Sequence, residues 1–447
     1  MKIISKLLLS SLPLLALSAQ AIEVSKININ LDKSQYVKYS GKSKTFKEGF
    51  KTGFGSALAF YKVGEKGELY FYGLTDRGPN GDAPNYKAND GTVSASKFFL
   101  APDFTPQIGL IKVEKGKATI EKNITLKDQN SNKISGLPIA KGNIGTTNEV
   151  GLTDSLEALP CDNSGLDPEG ITFDKDGNFY ISDEYGPFVI KYSKDGRELK
   201  RFYPGYGLPE ILKYRIENRG CEGISLTPSG ELAVLEQSVL EITRDGKKSS
   251  PTAKFTRVVL TDPESGKFRT YAYPIDADEY KKTKDAKLGD ILALSDTEFL
   301  IIEQGKDKNK KMRNLIYKVD FSKATDITDF TKDGYEPEFY QDSADIVMGE
   351  KTLVADLRAL GYVHEKAEGL AMLDDRQTLV VINDNDFGVD VKIKDKKRKE
   401  KITDYTVDSN KQLYFGDLTS DAKIKFSYLS DEESVNELFF IKLDEKL

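Results

Sequence analysis

The chain has 447 residues, with 65 Lys and Arg against 71 Asp and Glu, two Cys and one His, for a formal charge of −6. An acidic balance of that kind argues against nucleic acid as a partner. Two Cys and one His exclude a four-ligand thiolate or imidazole metal site.

The N-terminal segment sets the compartment. Lys2 and Lys6 precede the apolar run Leu7 to Leu17, and Ala19-Gln20-Ala21 supplies small residues before a cleavage point. Residues 1–21 therefore read as a secretory signal peptide, which implies a periplasmic or secreted protein with no membrane anchor. No later run approaches 18 consecutive apolar residues.

From there the recurring signal is a short β run, a two-residue turn and another β run. Asp176-Gly177, Asp195-Gly196, Ser229-Gly230, Asp245-Gly246, Ser265-Gly266 and Asp333-Gly334 all sit between aromatic and branched aliphatic segments and predict hairpins. In 171–182, "ITFDKDGNFYIS", Ile171 and Phe173 alternate with polar neighbours, and Phe179 and Ile181 resume the pattern, so one buried face is expected. Helical patterns are brief, over 209–216 and 276–283, and no Pro/Ser-rich linker divides residues 22–447.

The hairpins repeat at the scale of a propeller blade. Glu169-Gly170-Ile171 opens a hairpin that ends at Asp183-Glu184, and Glu222-Gly223-Ile224 opens one that ends at Glu236-Gln237. Glu368-Gly369-Leu370 leads to Asn383-Asp384. A degenerate copy runs from Gly289-Asp290-Ile291 to Glu303-Gln304, and an early one from Gly55-Ser56 to Asp76-Arg77. The wide gap from 56 to 169 has room for another blade, so an all-β single propeller of six blades is expected, with seven as the alternative.

Equivalent positions of the inner strands stand at equal height around a propeller channel. Glu169, Glu222 and Glu368 are thus expected to form a ring, supplemented from the hairpin ends by Asp76, Asp183, Asn383 and Asp384. Clustered carboxylates must take up protons or hold a cation, and oxygen ligands suit Ca²⁺ ahead of Mg²⁺ or Mn²⁺. The bland alternative is that Glu-Gly is a strand-entry device. Arg77, in the "TDRGPN" turn at 75–80, either binds a phosphate or carboxylate oxygen or is fixed in an internal ion pair.

Other features constrain the chemistry. Cys161 and Cys221 each precede a Glu-Gly pair, so a disulfide is the preferred reading, with two free thiols as the alternative. His364 lacks a nucleophile elbow to serve, so it reads as a packed imidazole and serine-hydrolase chemistry is disfavoured. The run 392–401, "KIKDKKRKEK", reads as an exposed loop.

Together these motifs resemble the esterase-like phytase family of exported β-propellers. The matching segments are "TDRGPN" at 75–80, "DPEGITFDKDGNFYISDEYGPFVIKY" at 167–192, "NRGCEGISLTPSGELAVLEQ" at 218–237, "NLIYKVDFSKATDI" at 314–327 and "EKAEGLAMLDDRQTLVVINDND" at 365–386. The resemblance implies a propeller, with Glu169, Asp183, Glu222 and Glu368 at the metal-binding or active end. One departure matters: near the acidic motifs the sequence offers only Arg77 and Arg219 as guanidinium groups, few for a hexaphosphate.

The resulting expectation is a monomeric, Ca²⁺-dependent hydrolase of a small phosphoric or carboxylic ester. Arg77 would steady developing charge and Glu184 would manage the proton. A lactonase-type propeller and a non-catalytic propeller stabilised by calcium are the rival readings.

Overall fold

The computed structural model describes residues 23–340 and 345–447. The expected signal peptide lies outside them.

Hairpins form where the turn glycines predict them. Gly177 and Gly196, with φ of 80° and 83°, take the left-handed conformation that lets a two-residue turn reverse a twisted strand. The strands assemble into five antiparallel four-stranded sheets among the described residues. Blade 1 is Ala57–Val63, Leu69–Leu74, Gln107–Glu114 and Lys117–Thr125. Blade 2 is Pro168–Phe173, Phe179–Asp183, Phe188–Tyr192 and Glu198–Pro204, with Gly207–Leu208 added at its edge. Blade 3 is Cys221–Leu226, Leu232–Glu236, Phe255–Thr261 and Phe268–Pro274. Blade 4 is Lys287–Ala293, Glu298–Lys306, Met312–Asp320 and Glu350–Asp356. Blade 5 joins distant parts of the chain, with Gly369–Met372, Thr378–Ile382 and Glu437–Lys442 completed by Glu23–Asn30. The last of these also pairs in parallel with the outer strand of blade 1, at Ile29 and Asn30, and so ties the closing blade to the first.

The first strands of the five blades lie against one another in a closed cycle. A separate apolar cluster fills each of the five gaps. Ile181 and Phe179 meet Ala57 and Leu74 between blades 1 and 2, whereas Tyr180 and Val189 meet Ile224 and Val234 between blades 2 and 3. Phe299 faces Val258, Leu370 faces Ile302, and Phe440 faces Phe71 in the remaining gaps. Successive side chains point to opposite faces, so each blade buries both. The single buried face expected for 171–182 is therefore half of the answer, because Tyr180 is buried on the other side.

The blade count corrects the expectation of six or seven. Strands in the gap after blade 1 do not make another blade. Asn80–Asp82 pairs with Ser96–Phe99, which pairs in turn with Val150–Leu152, and Asn85–Lys87 pairs with Thr406–Asp408. With Val389–Lys394 and Lys423–Tyr428 they form a cap with its own core of Phe46, Phe50, Phe98, Phe387 and Val407. Residues 209–216 and 276–283 hold only short 3-10 turns, such as Glu210–Tyr214. No helix among the described residues is long and apolar enough to cross a membrane.

The expected disulfide is absent. Cys221 is buried at the start of its strand, with Sγ 3.9 Å from Glu236 Oε2, while Cys161 is exposed on the loop before blade 2. Pleating turns Cys221 into the gap between blades 2 and 3, away from the surface that carries Cys161.

Candidate functional site

The inner strands of blades 2, 3 and 4 each carry one extra residue relative to the strand beside them. Pro168 pairs with Asp183 but Gly170 with Ser182, and Cys221 pairs with Glu236 but Ile224 with Val234. Leu288 and Ile291 show the same slip in blade 4. A bulge of this kind frees a residue from the ladder and re-aims its side chain. In blades 2 and 3 the slip falls on Glu169-Gly170 and Glu222-Gly223.

The glycines are required by close approach. A Cβ on Gly170 would stand 2.5 Å from the Glu222 carbonyl oxygen, and one on Gly223 would stand 2.6 Å from the Ile291 nitrogen. Gly369 meets the Leu58 nitrogen at the same 2.6 Å. Each Glu-Gly pair thus lets adjacent inner strands touch while its carboxylate turns to the channel. In blade 4 Asp290 occupies the glycine position instead, and its carboxylate accepts from Ile291 N and Leu370 N. In blade 1 the ring position is Ser56, whose hydroxyl lies against the Glu169 carboxylate and the Pro168 carbonyl.

Glu169, Glu222 and Glu368 do meet, in a cavity of about 380 Å³ under the cap. Asp76, Arg77 and Glu184 line it too. The cap contributes Asp82, Lys97, Val389 and Val391. Burial and mutual repulsion push the Glu169 and Glu222 carboxyls well above the ordinary range. Burial pushes Glu368 up to about 8, against the pull of Lys366.

Among the lining residues not singled out in the sequence, Asp167, Lys287 and Lys366 share one position. Each stands two places before a ring position (169, 289 and 368), at or shortly before the start of its inner strand. Counting back two residues in every motif copy finds them. Oxygens of Asp167, Glu169 and Glu184 all lie within 4.8 Å of one another, and Asp167 Oδ2 is buried without a hydrogen-bond partner. Burial pushes the Asp167 carboxyl up to about 7 despite the neighbouring Arg77. An all-oxygen set with an unmet buried acceptor fits a hard divalent cation.

The remaining candidates divide by pleat. Asp183, at the end of the second strand, accepts from Asp167 N at 2.7 Å and lies outside the cavity lining, while its neighbour Glu184 faces in. Asn383 spends its amide on Val435 O and Glu437 N, a structural bond set between the strands of blade 5. Asp384 pairs with Lys366 and borders an adjacent cavity of about 710 Å³. His364 lines that second cavity, packed edge-on to Tyr362 at 5.4 Å, as a packed imidazole should be.

Arg77 is held from below. Its Nε is 3.3 Å from Asp167 Oδ2, its Nη1 donates to Asn218 Oδ1 at 3.1 Å, and the guanidinium lies 5.5 Å over the Tyr185 ring. The internal ion pair is therefore real, with Asp167 rather than Asp76 as partner. Glu184 accepts from Gln237 at 2.6 Å and from Asn218 at 3.0 Å, and the same Gln237 amide reaches Glu222 at 2.8 Å. Arg219 is not in the lining, since it turns to Ser238 and the Lys284 carbonyl.

The family model for phytase-like proteins, described as esterase-like activity of phytase, matches residues 53–387. The chain belongs to that family. An uncharacterized secreted protein of the fungus Arthroderma benhamiae is 29% identical over 179 residues, covering 31% of this phytase-like chain. The chain spans about a third of that relative, 34% of its length. Among solved structures, a catalytically inactive virginiamycin B lyase from Staphylococcus aureus is 12% identical with a TM-score of 0.30, over 94% of this chain and 99% of that one. The WD40 domain of Toxoplasma gondii coronin is 9% identical with a TM-score of 0.31, over 96% and 88%. At such values the sheet topology, not the neighbours, establishes this phytase-like propeller.

Proposed function

We propose that this phytase-like protein is an exported, metal-dependent hydrolase of small phosphoric or carboxylic esters, working in the capped cavity at the ring end of the channel. The observation that carries the reading is the convergence of carboxylates from blades 2, 3 and 5 with a guanidinium and three ammonium groups in one cavity. Asp167, Glu169 and Glu184 would hold the ion, Ca²⁺ first and Mg²⁺ or Mn²⁺ after it. A bound ion there would supply polarisation of the ester oxygen and an activated water.

The chain's own groups supply the rest. Arg77 is locked through Nε and Nη1, which leaves Nη2 as the nitrogen with no protein partner among the described residues to meet developing negative charge. Glu184 has both oxygens engaged by amides, which suits it to ligation. Glu222, whose raised affinity for a proton comes with a place in the same cavity, is the better proton donor to the leaving group. The cap and the buried ring limit bulk water around the reacting ester.

The test is hydrolysis of 4-nitrophenyl phosphate and 4-nitrophenyl acetate by the purified chain with Ca²⁺, Mg²⁺ or Mn²⁺. Glu169→Gln with Glu222→Gln should lower kcat by a factor of about 10²–10⁴, the usual worth of a positioned acid. Turnover no higher than that of the double variant on either ester would sink the reading.

A further inference from the structure

Four cations line the ring cavity, and three of them are already paired. Arg77 is held by Asp167, Lys97 by Asp82 at 2.7 Å, and Lys366 by Asp384 and Asp386. Lys287 has no hydrogen bond and no ion pair within 4.0 Å among the described residues. It is the first residue of the blade 4 inner strand, half-buried, and its charge favours ionisation of both Glu222 and Glu368.

The cavity is uneven in sign. Blades 2 and 3 supply the carboxylates Asp167, Glu169, Glu184 and Glu222 and no ammonium, while blades 4 and 5 supply Lys287 and Lys366 beside Glu368 and Asp386. An ammonium is a point charge with three donors, so one without a partner in a shaped cavity is poised to take an anion. We propose that Lys287 binds the anionic group of the substrate and so selects esters that carry a phosphate or carboxylate over neutral ones. The proposal rests on the hydrolase reading for the word substrate, but the anion site itself does not. With a cation among the carboxylates, an anionic ester bridges the two halves, its reacting oxygen toward blade 2 and its charge toward blade 4.

A Lys287 that only offsets Glu222 and Glu368 would not need a free anion, and calorimetry separates the two roles. Inorganic phosphate and, separately, acetate are titrated into the full chain, into Lys287→Met and into Lys287→Arg. The wild type should bind at least one of the two, and which one it prefers names the anion. Lys287→Met should weaken that binding by about tenfold or more, the worth of one charge-assisted hydrogen bond, and Lys287→Arg should restore most of it. Wild type that binds neither anion, or Lys287→Met that binds as tightly, overturns the proposal. If Lys287→Met does not fold, Lys287→Gln carries the same comparison. Ester turnover without any dependence of anion binding on Lys287 removes this inference and keeps the hydrolase reading; anion binding that needs Lys287, without turnover, does the reverse.

Discussion

Two sets of buried acids stand in this molecule, and they differ in what they face. In the blades, Asp183, Glu236 and Glu303 are at most 1% exposed. Glu303 accepts from Tyr273, Tyr280 and the Asp276 amide and pairs with Lys351 at 2.9 Å. In the ring, Glu169, Glu222 and Glu368 are 8%, 1% and 7% exposed, yet they face a cavity and one another. Burial raises the proton affinity of Asp183 and Glu236 to about 8, the same range as Glu368. Neither burial nor a raised pKa therefore separates the two sets, and Glu236 Oε1 is itself buried without a partner; what sets the ring apart is that its carboxylates share one cavity.

Substitution separates the sets most sharply at Glu303. Glu303→Ala leaves the Tyr273 and Tyr280 hydroxyls without a partner and takes from Lys351 one of its two carboxylates, Asp276 remaining at 2.7 Å, and should cost about 3–5 kcal/mol of unfolding free energy in a urea titration. Glu169→Gln replaces a carboxyl whose ionisation is opposed by burial and by its acidic neighbours with a neutral amide of the same shape, so in metal-free buffer its stability should equal or exceed that of the wild type. Equal losses in the two variants would erase the distinction between scaffold and ring.

Calcium gives the next largest effect, with the opposite assignment. At a hundredfold excess over its Kd, the ion should stabilise the wild type by about 2.7 kcal/mol, seen as a rise in Tm. Glu169→Gln should lose that rise, because a neutral amide replaces one ligand of the Asp167–Glu169–Glu184 set. The metal-free protein should also lose stability as pH climbs from the ordinary carboxylate range towards 8. The folded state holds its protons on Glu368 and Asp183 longer than the unfolded chain does, and that advantage disappears once both states are ionised. A flat profile, or a calcium response that survives Glu169→Gln, moves the ion elsewhere.

How far the sequence reached follows from the same geometry. The ring was legible because Glu-Gly recurs in three blades, and the glycine's steric need ties the motif to one place in each inner strand. Asp183 was misplaced as a ligand because it sits next to Glu184, and on a pleated strand neighbours face opposite ways. Lys287 and Lys366 were invisible to a search for repeated residue types, since their position holds Asp167 in blade 2 and Gly220 in blade 3. The blade count failed for a topological reason. Cap strands such as Val389–Lys394, with Val389, Val391 and Ile393 at alternate positions, carry the same alternation as blade strands, and nothing local tells which sheet a strand will join. A smaller effect checks the steric half of this account: Gly223→Ala should cost about 1–3 kcal/mol, because the added Cβ meets the backbone of Asp290 and Ile291 as well as the Asp290 carboxylate. A neutral Gly223→Ala would mean that inner strands can separate without loss.

The smallest effect expected is at Cys161, and it tests whether the two cysteines act on each other at all. A bridge between Cys161 and Cys221 would close a loop of some sixty residues, and its loss would cost about 2–5 kcal/mol. The structure instead leaves Cys161 in solvent and buries Cys221 beside Glu236, whose proximity and apolar surroundings hold the thiol in its protonated, unreactive form. Cys161→Ser should then shift stability by less than about 0.5 kcal/mol, equally with and without reductant. Cys221→Ser should cost more than Cys161→Ser under both conditions, because a hydroxyl replaces an apolar sulfur in the packed gap between blades 2 and 3. A loss on Cys161→Ser that appears only without reductant would show that the protein forms the bridge, and that the loop before blade 2 moves to make it.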